Sequence, residues 1–190
     1  MSDPVIERAL ISVSDKQGLS DIAQLLNDLN IEILSTGGTK NHLDNAAINA
    51  IDIAEYTEFP EMMSGRLKTL HPRVHGGILC RHDRPDEIES MQLHGILKIP
   101  LIIVNLYPFE ETIAQKDATL EMAIENIDVG GPTMIRAAAK NYRFTTVVTS
   151  PDQYLEVSEQ IQNLGSTTLS LRKRLALEAF AKTARYDQAI

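Results

Sequence analysis

Hydrophobic residues along this chain follow two patterns: short continuous apolar runs, and longer stretches with apolar residues every three or four positions. The runs at 8–13 and 31–35 are typical of strands, and the stretch 15–29 between them has the spacing of an amphipathic helix. Ser14 and Gln17 have the spacing of a capping box, which predicts that this helix begins beside Ser14. Together these segments predict a strand, helix and second strand in succession.

The rest of the chain continues this alternation. Residues 99–106 form the clearest apolar, β-branched run, which is typical of a central strand in a parallel sheet covered on both faces. Further strands are predicted at 48–53, 76–80 and 144–149, and further helices at 40–47, 85–94, 108–114, 120–126 and 132–140. Strands alternating with helices predict an α/β fold with an open, mainly parallel sheet and helices on both faces.

The last part of the chain is predicted to be helical. Ser150 and Gln153 repeat the capping-box spacing, with a proline at the first helical position. The apolar positions of a long amphipathic helix over 167–190 include Leu171, Leu175, Phe180 and Ala184. We therefore predict a core at 1–150 followed by a C-terminal helical extension at 151–190.

Composition restricts the compartment and the partners. The chain has 190 residues, 43% of them hydrophobic, which is enough for one domain with its own core. A formal net charge of -8 argues against nucleic acid and anionic membranes as general partners. The single cysteine, Cys80, excludes an internal disulfide, and the N-terminus lacks the basic and apolar segments of a signal peptide. These features predict a cytoplasmic protein whose partner is a small phosphorylated metabolite.

One basic segment interrupts this acidic chain. Residues 64–77 hold five potential cations between glycines: Arg66, Lys68, His71, Arg73 and His75. The glycines allow a ligand to approach the backbone closely, Thr69 adds a hydroxyl, and the guanidinium of Arg66 matches the oxygens of a phosphate. The segment is therefore a candidate anion site, with a solvated basic loop as the alternative.

The two histidines of this segment are four residues apart, the spacing of two metal ligands on one face of a helix. Pro72 and the Gly76-Gly77 pair argue against a helix there, and no carboxylate is spaced as a third ligand. We therefore predict no metal site, and we assign His71 and His75 structural or substrate-contacting roles.

Four polar clusters follow predicted strands or lead into predicted helices, at the edge where open α/β sheets bind ligands. They lie at 12–16, at 36–39, at Asn105 and Tyr107, and at 128–131. The turn at 36–39 offers backbone N–H groups and two hydroxyls to a phosphate at a helix N-terminus, unless it is only a chain turn. The alternative to ligand binding is that Ser14 only caps its own helix and that Lys16 is an ordinary solvated side chain. Neither cluster is a Walker loop or a dinucleotide fingerprint.

Tyr107 and Asp128 are candidates for proton transfer. A phenol or a carboxylate beside a lysine can have its pKa moved towards a useful value, and Lys68 and Lys140 are the candidate lysines. The structural alternatives are that Tyr107 covers the core and that Asp128 caps the following helix.

Taken together, these segments resemble the inosine monophosphate (IMP) cyclohydrolase domain, the N-terminal part of a bifunctional purine-biosynthesis family that also carries a formyltransferase. The motifs are SVSDK at 12–16, TGGT at 36–39, FPEM at 59–62, GRLKTLHP at 65–72, NLYPF at 105–109, IDVGG at 127–131 and RAAAKN at 136–141. The resemblance covers essentially the whole chain and implies a methylglyoxal-synthase-like α/β fold, a homodimer and no cofactor. The helices at 151–190 would lead to the formyltransferase domain, which is absent here along with its activity.

The resemblance also implies a reaction and its residues. The reaction is ring closure of 5-formamidoimidazole-4-carboxamide ribonucleotide to IMP with loss of water. The implied catalytic pairs are Lys68 with Tyr107 and Asp128 with Lys140. The implied nucleotide-binding residues are Ser12, Ser14, Lys16, Thr36, Gly37, Gly38, Thr39, Arg66, Thr69, Asn105, Val129 and Gly130. A helix over 132–140 carries Lys140 about 12 Å from its start, so the second pair requires the loop at 130–131 to double back.

Two other functions share part of this pattern. A methylglyoxal-synthase-type phosphate lyase would share the fold and the glycine turn, but it does not explain the segment at 65–72. A regulatory nucleotide-binding module, like the effector domain of carbamoyl phosphate synthetase, would keep the anion site without chemistry. The presence of all four candidate catalytic residues argues against such a module.

Overall fold

A parallel sheet of five strands lies at the centre of the computed structural model, which describes residues 3–107 and 109–190. The strands are β1 (Arg8–Ser12), β2 (Glu32–Ser35), β3 (Ile51–Asp52), β4 (Leu101–Val104) and β5 (Thr146–Val148). Their order is β3-β2-β1-β4-β5, and every neighbouring pair is parallel. The predicted open, parallel α/β sheet is confirmed, and the run at 99–106 contains the interior strand β4.

Ten α-helices occur in the described ranges. They are α1 (Leu19–Asp28), α2 (Gly37–Asn45), α3 (Ile53–Thr57), α4 (Pro72–Leu79), α5 (Pro85–Leu93), α6 (Phe109–Ile113), α7 (Leu120–Glu125), α8 (Gly130–Lys140), α9 (Tyr154–Leu164) and α10 (Leu169–Ala189). The chain moves outward from β1 in two opposite directions, so right-handed crossovers place α1 and α8 on opposite faces of the sheet. None of the helices in these ranges has both the length and the apolar character needed to cross a bilayer.

The strand predicted at 76–80 is wrong, because this segment is the last part of α4. The helix has a proline at its first turn, and the N–H of Arg73 donates to His71 Nδ1 (3.1 Å), so His71 is its N-cap. A Cβ at Gly77 would collide with the carbonyl oxygen of Leu97, so this glycine allows the helix to pack closely. Here Pro72 starts the helix, and Gly77 serves packing within it.

The capping box predicted at Ser14 is also wrong. Helix α1 begins at Leu19, its N-cap residue Gly18 has φ 67°, and Ser14 Oγ donates to the carbonyl of Leu106 instead (2.9 Å). The helix predicted at 108–114 is observed as α6. The first residue of the predicted helix, Pro108, lies outside the described residues, as do Met1 and Ser2 of the N-terminal segment.

The C-terminal extension is helical as predicted, and the capping box of Ser150 and Gln153 is confirmed. Helix α9 packs on α1, and α10 packs on α8 and β5. The face predicted for α10 is partly wrong, because Phe180 is 38% exposed and Ala184 is exposed. The predicted Leu171 and Leu175 are buried, and the other buried residues of α10 are Arg172, Ala176, Ala179, Thr183 and Tyr186. A domain division at residue 150 stays a prediction.

The guanidinium of Arg172 attaches α10 to the rest of the molecule. This residue is 2% exposed, and its Nε donates to the carbonyl of Tyr142 (2.9 Å). The two terminal nitrogens donate to the carbonyls of Thr167 and Arg143 and to Asp3 Oδ1 (2.8 Å for Asp3). One buried side chain therefore joins α10, the loop before β5 and the N-terminal segment.

We expect Arg172→Met to lower the free energy of unfolding by about 2–4 kcal/mol, since three carbonyl groups lose their donor. Arg174→Met on the same helix is the matched control. Arg174 pairs with Glu156 and Glu178 at the surface, so its loss should cost less than about 1 kcal/mol. Urea unfolding of both variants measures the difference. Equal losses would show that Arg172 does not hold the helix.

Candidate active site

The loops after β1, β2 and β4 meet at the carboxyl edge of the sheet. Ser12 Oγ at the end of β1 lies 3.0 Å from Thr36 Oγ1, which follows β2. After β4, Asn105 Oδ1 accepts the backbone N–H groups of Ser14 (2.6 Å) and Asp15 (3.1 Å). The polar clusters predicted at the three strand ends are therefore brought together.

The turn after β2 leaves backbone donors unused. Thr36 is the N-cap residue of α2, and its side chain makes no capping hydrogen bond. The N–H groups of Thr39 and Lys40 donate to the carbonyl of Thr36, whereas those of Gly37 and Gly38 have no protein acceptor within the described ranges. A Cβ at Gly38 would meet nothing within 4 Å, so the space beside the turn is open. Free N–H groups at the positive end of a helix suit an anion.

The ammonium of Lys68 lies beside this turn. A Cβ at Gly37 would be 3.2 Å from Lys68 Nζ, and a Cβ at Gly65 would be 3.6 Å from it. Both glycines have positive φ, 44° and 84°, which other residues rarely adopt. In the part of the chain that the structure describes, no acceptor takes a hydrogen bond from this ammonium. A cation and two free N–H groups thus converge on one open position.

Asp128 and Thr69 place the start of α8 next to this position. Asp128 Oδ1 accepts the N–H of Gly131 (2.9 Å), and a Cβ at Gly130 would be 2.5 Å from Thr69 Oγ1. Burial raises the pKa of Asp128, against smaller lowering effects from the Gly131 N–H and the Lys68 charge. A carboxylate with a raised pKa near a lysine is suited to accept a proton.

Four predicted binding residues, which follow β1, β2 and β4, use their polar atoms within the protein. Thr39 Oγ1 accepts the N–H of Val13 and donates to its carbonyl, at 3.0 and 2.9 Å. The amide of buried Asn105 is bonded to Ser14 and Asp15, and Lys16 Nζ lies 3.3 Å from the carbonyl of Ser14. These contacts hold the loops in place, and direct contact with a ligand stays a prediction.

Arg66 and Val129 lie on the surface around the site. Arg66 forms an ion pair with Glu125 of α7, and the two side chains are 66% and 57% exposed. Val129 is exposed between Asp128 and the first turn of α8. A ligand phosphate would therefore have to compete with Glu125 for Arg66.

Lys140 is not brought to this site within the chain. It is the exposed last residue of α8, whereas Asp128 precedes the first turn of the same helix. Eleven residues of α-helix separate the two ends by about 15 Å. The loop at 130–131 does not double back, because Gly130 and Gly131 belong to the helix.

Tyr107 borders a cavity of about 480 Å³ between α6 and the end of α10. Lys182 and Tyr186 of α10 also line it, and Tyr186 Oη accepts the backbone N–H of Asp128 at 2.8 Å. The sequence analysis did not select Tyr186. A stripe of small and apolar residues at three- and four-residue intervals along α10 was the available signal.

Comparisons with known proteins agree with this architecture. The model of the MGS-like domain family matches residues 18–133, and that of the AICARFT/IMPCHase bienzyme family matches residues 138–190. The chain is 53% identical to the bifunctional purine biosynthesis protein PurH of Streptococcus mutans over 97% of its own length and 36% of that relative. It thus spans about a third of that protein.

A solved structure gives the same result for the fold. The crystal structure of ForH matches with a TM-score of 0.85 and 32% identity, over 99% of this chain and 97% of that one. The match covers the sheet, its helices and the C-terminal extension. The methylglyoxal-synthase-like fold implied by the sequence motifs is confirmed, and the chain belongs to the MGS-like domain family, with a second match to the AICARFT/IMPCHase bienzyme family at its C-terminal end.

Proposed function

We propose that this chain is an IMP cyclohydrolase of purine biosynthesis. One observation carries the proposal: Asp128, Lys68 and the turn at 37–38 lie close together. Burial raises the pKa of Asp128, and the charge of Lys68 acts on this carboxylate. The Lys68 ammonium in turn adjoins the free N–H groups of Gly37 and Gly38. This arrangement offers a base, a cation and a phosphate cradle at one edge of the sheet. The similarity to PurH and to the AICARFT/IMPCHase bienzyme family supports this choice of reaction.

The 5'-phosphate of the substrate binds at the N-terminus of α2 in this proposal. The N–H groups of Gly37 and Gly38 donate to phosphate oxygens, and the dipole of α2 complements the phosphate charge. The hydroxyl of Thr36 is the side-chain donor of the same turn. The base then extends towards Asp128 at the start of α8.

Ring closure takes place within one molecule. The carboxamide nitrogen attacks the formyl carbon, a carbon–nitrogen bond forms, and the formyl oxygen departs as water. One hydrogen of that water comes from the carboxamide nitrogen and the other from the formamido nitrogen. Because nucleophile and electrophile are already joined, the protein has to fix the reactive conformer and stabilise charge.

The proposed roles of the two charged residues follow from their surroundings. Asp128 accepts the proton of the attacking nitrogen, and the Lys68 ammonium stabilises negative charge on the formyl oxygen. Four further parts of the proposal rest on the family resemblance: Tyr107 as the partner of Lys68, the homodimer, the absence of a cofactor and the cytoplasmic location. Lys140 has no role in it within one chain, because it lies at the far end of α8.

Turnover of the purified chain tests the proposal. We expect it to convert 5-formamidoimidazole-4-carboxamide ribonucleotide to IMP, measured by ultraviolet absorbance and chromatography of the product. Folded protein that binds IMP tightly without turnover would indicate a regulatory module. Release of inorganic phosphate from dihydroxyacetone phosphate, with no IMP formed, would indicate a phosphate lyase.

Arg66→Ala should raise the KM for this substrate about tenfold with little change in kcat, since a phosphate contact acts equally on ground and transition states. Steady-state kinetics measures the two constants. Glu125→Gln is the matched control, because it breaks the same surface pair but keeps the guanidinium. Its KM should stay unchanged or fall. A reduced kcat with unchanged KM in Arg66→Ala would remove Arg66 from phosphate binding.

A further inference from the structure

Tyr186 is the point at which the C-terminal extension reaches the candidate active site. Its Oη accepts the backbone N–H of Asp128 at 2.8 Å, across 58 positions of sequence. The side chain is 8% exposed, on the last turns of α10. Its ring packs edge-on against Phe109 of α6, with centroids 6.3 Å apart and an angle of 71°. A buried phenol held by an aromatic neighbour is a fixed acceptor.

Asp128 depends on few contacts for its position. It lies in the short connection between α7 and α8, next to the exposed residue Val129. Within the described residues, Asp128 makes two hydrogen bonds: its N–H donates to Tyr186 Oη, and its Oδ1 accepts the N–H of Gly131. The second bond aligns the carboxylate with α8, and the first fixes the backbone that carries it.

We propose that Tyr186 is a positioning residue for Asp128, and that α10 thereby takes part in the activity of the core. The inference rests on the proposed function, because it assigns Asp128 a role in ring closure. Tyr186 does not contact the substrate in this proposal. It holds the Asp128 backbone so that the carboxylate stays partly buried beside Lys68.

Tyr186→Phe tests this directly, since it keeps the ring on Phe109 and removes only the acceptor oxygen. We expect kcat to fall about tenfold and KM to change less than twofold, because a small displacement of a reacting group affects the transition state most. Water should also reach the loosened carboxylate. The pKa of Asp128 should then fall towards its ordinary value, and the acidic limb of the kcat profile should move to lower pH.

Two measurements keep the test independent of overall stability. The first is a carbon-13 NMR titration of the Asp128 carboxyl, whose signal is assigned by its disappearance in Asp128→Asn. The other charged groups near this pair are Lys68, whose charge acts on Asp128, and Asp187, whose charge acts on Tyr186. Tyr154→Phe is the matched control. It removes another buried phenol of the C-terminal extension, whose oxygen has no hydrogen-bond partner in the described structure. This control should leave both kcat and the pKa of Asp128 unchanged.

Each outcome decides the inference. An unchanged kcat or an unchanged Asp128 titration in Tyr186→Phe overturns it, and so does an equal loss of kcat in Tyr154→Phe. Phe109→Leu, which loosens the Tyr186 ring but keeps its hydroxyl, should give a smaller effect of the same kind. If the unaltered chain forms no IMP, the proposed function fails separately, and the titration alone decides whether Tyr186 positions Asp128.

Discussion

Lys68→Met should lower kcat for IMP formation by about 100- to 1000-fold, the loss typical of removing one group that stabilises a developing oxyanion. The unfolding midpoint should stay the same or rise. The ammonium has no hydrogen-bond acceptor within the described ranges, and it lies at the positive end of α2, where a cation is unfavourable. Steady-state kinetics and thermal unfolding measure the two quantities on the same preparation.

The control for Lys68 is Lys173→Met. Lys173 is an exposed lysine of α10, so the change removes the same charge and keeps the same aliphatic stem away from the site. Its kcat should remain within about twofold of the original, as expected for surface substitutions. Near-normal turnover in Lys68→Met, with the protein folded, would exclude Lys68 from the chemistry.

Asp128→Asn should reduce kcat by about 100-fold or more, the usual contribution of a general base. The amide keeps an oxygen that can accept the Gly131 N–H, so the start of α8 should remain intact. The unaltered chain should lose activity on the acidic side as Asp128 becomes protonated, at a pH above the ordinary pKa of an aspartate because burial raises the pKa of Asp128. The residual activity of the variant should lack this acidic limb.

Asp128→Asn should lower kcat but raise the stability of the fold at neutral pH. With a pKa higher in the folded state than in the unfolded state, Asp128 favours folding when protonated and loses this contribution as pH rises through its folded pKa. Asp128→Asn should therefore unfold at higher urea concentration than the original chain at pH 7. The difference should vanish in acid, below the ordinary aspartate pKa. A less stable variant at pH 7 would show that the ionised carboxylate stabilises the fold.

Much of the fold could be predicted because the chain alternates between two simple periodicities. The run containing Leu101–Val104 is apolar at every position, which only a strand covered on both faces requires. The predictions that failed concern residues whose local role in the sequence differs from their role in tertiary packing. Gly77 sits inside a helix because of a close approach to Leu97, and Ser14 bonds across to the β4 loop instead of capping its own helix.

The candidate site was predictable where its residues lie in polar clusters at a strand end or at the start of a helix, or in the basic segment at 64–77. The turn at 36–39, Lys68 and Asp128 all lie at the edge where the rules for parallel sheets place ligands. Tyr186 was not predictable, since its bond to Asp128 depends on how α10 packs across α8. The pairing of Arg66 with Glu125 and the distance of Lys140 also depend on tertiary structure.

The position of bound IMP is the decisive measurement, in a crystal of the chain grown with the nucleotide. The phosphate should accept hydrogen bonds of about 2.7–3.1 Å from the N–H groups of Gly37 and Gly38, and the base should lie beside Lys68 and Asp128. The contradicting result is IMP bound elsewhere while this turn stays empty. One such place is the cavity of about 310 Å³ lined by Arg8, Met91 and Lys98 at the opposite edge of the sheet.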